Sequence, residues 1–215
     1  MTTIPAEAPA VLNDKRLAFD EEAHVYRLLG RELVSVTSAM ELAGMVDSQY
    51  WTDEAKERGT AVHHAIAMHT EGRFNEYTLD DEYLPYFEGY LRFLRESHVV
   101  VEQSEVRVCD PSLGYAGTLD LIVAWTSEDG ERITRRGLID IKTGSVPPTV
   151  GPQTAAYLRC ARSWFPLGTP IYRFALHLPG DGTYRLLPLS NIQDEADFLA
   201  ALRVANFRRF HGIGC

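Results

Sequence analysis

YAGTLDLIVAW, residues 115–125, and RGLIDIKT, residues 136–143, decide how the chain is read, because each is an apolar run with a carboxylate set into it. Their β-branched and leucine side chains, bounded by Pro-Ser-Leu-Gly at 111–114 and Gly-Ser-Val-Pro-Pro at 144–148, predict strands buried in a sheet. Asp120 and Asp140 lie within or at the end of those strands. A carboxylate buried there is destabilising unless a cation compensates it. Two of them on neighbouring strands predict a shared hard cation such as Mg2+ or Mn2+. Strand alternation projects Asp140 and Lys142 from one face and turns Ile141 into the core, leaving its carbonyl available as an oxygen ligand.

Working outward, VVVEQSEVRV (99–108) predicts a further strand and SEDGER (127–132) a hairpin tip. Upstream, residues 17–36 alternate around Gly30-Arg31 as a β-hairpin would, and Ser35, Thr37 and Ser38 offer caps for a short helix ended by Gly44. A longer helix is expected from Thr52 or Asp53 to about Gly72. The next is expected from Asp80 or Asp81 to about His98, with Leu84, Phe87, Leu91 and Leu94 as its core face. Downstream come a helix, VGPQTAAYLRCARSWF, with Pro152 in its first turn, strands near 171–178 and 184–189, and a final helix near 191–210. The order predicts an α/β fold, a small mixed β-sheet flanked by helices. It also predicts a single domain over 17–215 behind a flexible tail, 1–16.

At 215 residues and 45% hydrophobic content the chain can bury one sizeable core. It has no apolar run long enough to span a membrane and no secretory leader, so a cytoplasmic location is expected. Cys109, Cys160 and Cys215 are odd in number and scattered, which argues against a disulfide framework, a zinc knuckle or an iron-sulfur cluster. The net charge of −9 opposes phosphate binding as a whole. Between Ile141 and Gly180, however, the charged side chains are Lys142, Arg159, Arg162 and Arg173, and Arg203, Arg208, Arg209 and His211 cluster near the end. For any single arginine, pairing with a surface carboxylate is the default fate. Lysine occurs only at 15, 56 and 142 against eighteen arginines, and an ammonium is the more compact charge to bring against a reacting water. Taken alone, Asp140-Ile141-Lys142 reads better as a solvated edge strand with alternating charge.

The wider run changes that balance. Gly59-Thr60-Ala61-Val62-His63 on a helix is followed by Glu105 on a strand, Gly117-Thr118-Leu119-Asp120, Asp140-Ile141-Lys142 and Gln153-x-x-x-Tyr157. This succession, across about residues 58–160, resembles the PD-(D/E)XK nuclease superfamily, specifically its RecB-like and phage-exonuclease branch, with a restriction-endonuclease-like core. Gly117 to Asp120 stands where the superfamily name has Pro-Asp, a replacement usual in that branch. The resemblance implies that His63, Asp120, Asp140 and the Ile141 carbonyl bind metal and that Lys142 is catalytic. Glu105 would be the branch's additional acidic position, either contacting a metal-ligated water or partnering a nearby cation. Gln153 and Tyr157, four apart on one helix face, would orient the site or touch the DNA backbone, with Arg159 beside them as a substrate contact. His64 points about 100° away from His63 on a helix.

The activity so implied is Mg2+- or Mn2+-dependent hydrolysis of DNA, as an exonuclease acting in phage or prophage recombination, replication or repair. Its partners would be DNA ends, single- or double-stranded, and a recombination or single-strand-binding protein, with no membrane and no iron-sulfur cluster. An endonuclease, or an inactive end-binding module of the same fold, are the alternatives. A non-haem iron oxygenase is disfavoured, since its His-x-Asp/Glu pair is absent.

Overall fold

The computed structural model describes residues 16–21, 23–46, 52–75, 79–126 and 133–213, so the expected tail (except Arg16) and the 127–132 tip lie outside the described residues. Within them, one mixed sheet of eight strands is covered on both faces by five helices. Strands β4 (Val99–Asp110), β5 (Tyr115–Thr126) and β6 (Ile133–Lys142) run antiparallel, β7 (Ile171–His177) joins β6 in parallel, and β8 (Arg185–Pro188) closes that side antiparallel. A meander of β1 (Leu17–Asp20), β2 (Val25–Leu28) and β3 (Arg31–Ser35) joins through two parallel rungs, Val34 to Tyr115 and Ser35 to Ala116. Because β4 occupies one edge of β5 along its length, β3 and β6 share the other edge, with a gap between them.

The helices are α1 (Val36–Leu42), α2 (Asp53–Thr70), α3 (Leu84–Ser97), α4 (Val150–Ala161) and α5 (Asp194–His211). Alternation in β5 and β6 sends Ile122 and Leu138 into a core with α1, α4 and α5. It sends Leu121, Val123, Ile139 and Ile141 into a second core with α2 and α3. Burial on both faces is why these strands are nearly continuous apolar runs. Among the described residues no helix is long and apolar enough to cross a membrane.

Most element boundaries follow local chemistry. Ser35 Oγ accepts the Ser38 N–H at the start of α1, and Thr52 Oγ1 accepts the Ala55 N–H at the start of α2, as capping requires. The expected hairpin over 17–36 is instead three strands, because Asp20 Oδ1 accepts the Ala23 N–H at 3.1 Å and turns the chain once more before Val25. Helix α3 begins at Leu84, later than expected, and buries Phe87, Tyr90 and Phe93, while Leu84, Leu91 and Leu94 are only partly covered. Two features rotate it that way. Aromatic rings at this spacing bury more area than leucines, and Gly89 lets the helix press against the Thr183 carbonyl, where a Cβ would collide.

Candidate active site

The site begins where two strands stop pairing. β5 and β6 are in register from Trp125 and Arg135 to Leu121 and Ile139, and one further rung would set Asp120 against Asp140. Like charges directly opposite one another destabilise a ladder, and the pairing ends there. Asp120 Oδ2 takes the place of a backbone partner, accepting the Ile141 N–H at 2.6 Å. Both aspartates are buried, at 8% and 1% exposure. On the other side of β5, Glu105 falls between the Ser104–Leu121 and Val106–Leu119 rungs with φ at +49°. A left-handed backbone costs a non-glycine residue about 1–2 kcal/mol.

Helix α2 brings His63 to this notch. Its Nδ1 lies 3.5 Å from Glu105 Oε1 and 3.6 Å from Asp120 Oδ1, and its Nε2 lies 3.3 Å from the Ile141 carbonyl oxygen. His64 is exposed. One ligand atom each from His63, Glu105 and Asp120 lie within 4.8 Å of one another, close enough to share a cation. Burial opposes a charged imidazole, but Asp120 and Glu105 outweigh it and hold His63 up at about 9. Burial also pushes Asp120 up. It raises Asp140 to about 6 even with Lys142 pulling the other way.

Asp140 does not join that trio. Lys142, two residues on and on the same side of β6, places Nζ 2.7 Å from Asp140 Oδ2. Beyond this ion pair the buried oxygen has no hydrogen-bond partner among the described residues. Burial works against the Lys142 charge, and Asp140 and Asp120 overcome it to raise the ammonium above its ordinary value. One imidazole, oxygen donors from three carboxylates, the buried Asp140 oxygen among them, and the Ile141 carbonyl form a donor set that suits a hard divalent cation.

A polar chain on α4 backs the lysine. Lys142 Nζ donates to Gln153 Oε1 at 3.5 Å, and Gln153 Nε2 donates to the Tyr157 hydroxyl at 3.2 Å. The pair thus faces inward to the lysine. The buried Tyr157 ring lies over Gly117, where a Cβ would come within 2.6 Å of Cε1, which gives the glycine of Gly117-x-x-Asp120 a steric reason. Gly59 has none of that kind, since a Cβ there would meet Thr143 Oγ1 at an ordinary 3.9 Å. Tyr26, on β2, pairs its hydroxyl with Thr118 Oγ1 at 2.8 Å, two residues before Asp120. Sequence reasoning missed Tyr26, because an aromatic in an alternating hairpin reads as packing and only the fold reveals what it meets.

Arg159 stands apart from this cluster. It donates to Asp110 Oδ2 at 3.1 Å and to Glu195 Oε1 at 2.8 Å, lining a cavity of about 1190 Å3 on the far side of α4. A helix turns about 200° between positions 157 and 159, which separates it from Tyr157. The rest of the positive stretch is also engaged: Arg173 with Asp194 at 2.9 Å and Arg162 with the Thr169 carbonyl at 2.8 Å. Near the end of the chain, Arg208 holds the Leu42 carbonyl and Arg209 holds Glu32.

No family model matches the chain, and no curated protein matches it. Among solved structures, the alkaline exonuclease LHK-Exo from Laribacter hongkongensis is similar with a TM-score of 0.35 and 15% identity, over 84% of this chain and 93% of that chain. LHK-Exo in complex with dAMP is similar with a TM-score of 0.36 and 14% identity over the same shares.

Proposed function

We propose that this chain is a divalent-metal-dependent nuclease with a restriction-endonuclease-like core that hydrolyses phosphodiester bonds in DNA, working from ends as an exonuclease. The observation that carries the reading is the convergence of His63, Glu105 and Asp120 within 4.8 Å beside the buried Asp140–Lys142 pair. Buried carboxylates with raised proton affinities in such a group are poised to trade protons for a metal ion. The choice of DNA, of ends and of a recombination setting comes from the motif resemblance.

In this reading His63, Glu105, Asp120, Asp140 and the Ile141 carbonyl hold Mg2+ or Mn2+, which when bound supplies electrophilic stabilisation of phosphate charge. Water adds to phosphorus and gives its proton to solvent as the bond to the 3′ oxygen breaks and that oxygen takes a proton, while the Lys142 ammonium orients the water and donates hydrogen bonds to the phosphate oxygens. Asp140 and Gln153 position that ammonium, and Tyr157 holds Gln153. With a metal bound, the two aspartates would be held ionised and His63 would be neutral.

The test is digestion of linear, circular, single-stranded and double-stranded DNA labelled at either end, with Mg2+, Mn2+ or EDTA. Metal-dependent release of nucleotides from linear substrates is expected. Asp120→Asn and Lys142→Ala should each lower it by at least about a hundredfold. Undiminished cleavage by either purified variant, or nicking of circles at the rate of linear DNA, contradicts the proposal.

A further inference from the structure

Resting on that nuclease reading, we infer that Arg58 is a second phosphate contact of the site, one that selects a polynucleotide over a small phosphodiester. In the positive stretches visible in the sequence, Arg159, Arg173 and Arg209 are paired with carboxylates, and Arg162 and Arg208 are held by backbone carbonyls. Arg58 differs in both place and partners. It lies on α2, five residues before His63, and donates Nε to Thr143 Oγ1 at 3.4 Å. Thr143 directly follows Lys142. Neighbouring Cα atoms are about 3.8 Å apart, so the guanidinium stands within roughly 10 Å of the Lys142 backbone.

Its other neighbours hold it without neutralising it. The guanidinium carbon lies 5.5 Å from the centre of the Tyr86 ring, and a side chain at Gly144 would come within 3.5 Å of Nη2. Among the described residues Arg58 forms no ion pair, and it is only partly buried. A stacked, partly exposed guanidinium with donors to spare, beside a loop whose glycine leaves room for backbone to approach, is built to receive a bidentate oxyanion. A DNA strand offers such an oxyanion at the phosphate next to the one being cut, whereas a simple diester has none.

The experiment compares wild type, Arg58→Gln and Arg58→Lys, with Arg58→Met as the variant that keeps stem packing on Tyr86 should the glutamine form not fold. Binding of a fluorescent single-stranded oligonucleotide is titrated with Ca2+ at several salt concentrations, and hydrolysis of that oligonucleotide and of bis(4-nitrophenyl) phosphate is followed with Mn2+. Loss of the charge should weaken oligonucleotide binding about tenfold at low salt and reduce the salt slope by about 0.7, with Arg58→Lys restoring the slope. The penalty on kcat/KM should be at least about tenfold greater for the oligonucleotide than for the small diester. An unchanged salt slope in Arg58→Gln or Arg58→Met, or equal penalties on the two substrates, overturns the inference. A wild type that neither binds nor cuts the oligonucleotide would instead remove the nuclease reading beneath it.

Discussion

Without a metal ion, the His63 imidazolium is the charge that keeps Glu105 and Asp120 together, since those carboxylates hold it at about 9. A histidine whose folded value is raised from 6.5 adds stability that is complete below 6.5 and is lost as pH climbs through about 9. Asp140 acts in the same sense over a lower window. Its value is raised from 3.8 to about 6, so the folded protein favours its neutral form and loses stability as pH rises between those two points. The metal-free protein should therefore show a melting temperature that falls by several degrees between pH 6.5 and 9, and added Mn2+ should restore most of it. Asp140→Asn, neutral at every pH, should melt above wild type at pH 7.5 without metal while failing to cleave DNA. A flat melting profile, or an Asp140→Asn protein that melts lower, contradicts this account. Asp120, Asp140 and Lys142 were legible in the sequence because charge inside apolar strands is conspicuous. The left-handed turn that swings Glu105 towards His63 was not, because it depends on how β4 lies against β5.

Strand β5 is pinned by what covers it. Gly117 exists under the Tyr157 ring, and Tyr157 in turn holds Gln153 against Lys142. Gly117→Ala should force the ring aside, lowering unfolding free energy by about 1–3 kcal/mol in denaturant titrations and depressing cleavage with it. Tyr157→Phe keeps the ring and removes the hydroxyl, so it should cost about 1 kcal/mol and leave a larger deficit in kcat than in KM. If Gly117→Ala melts like wild type, the ring is not packed as described. The long strands and capped helices were readable because period and capping are local properties. The aromatic face of α3 was not, because Gly89 meeting Thr183 belongs to tertiary contact, and neither was the extra strand made by the Asp20 turn.

The molecule as a whole is unevenly fastened. β1, β2 and β3 pair with the main sheet through only two rungs, Val34 to Tyr115 and Ser35 to Ala116, and are held besides by the Tyr26–Thr118 contact, the Arg209–Glu32 ion pair and a small core of Leu17, Tyr26 and Leu33 against Cys109 and Ala116. Strands β4 to β7 are paired along most of their lengths. Amide exchange followed by mass spectrometry should show the meander opening well before β5 and β6. Equal protection across both would mean that the meander is bound into one cooperative unit with the rest. The basic segments were visible in the sequence, but the carboxylate partners of Arg159, Arg173 and Arg209 were not, since Arg209 meets Glu32 across 177 positions of chain. One consequence follows from the placement of the helices. His63 arrives from the layer on one side of the sheet and Gln153 with Tyr157 from the layer on the other. If the proposed nuclease reading holds, a newly made chain with a single layer docked would lack either the His63 imidazole or the support behind Lys142, so cleavage would arrive only with the last step of assembly.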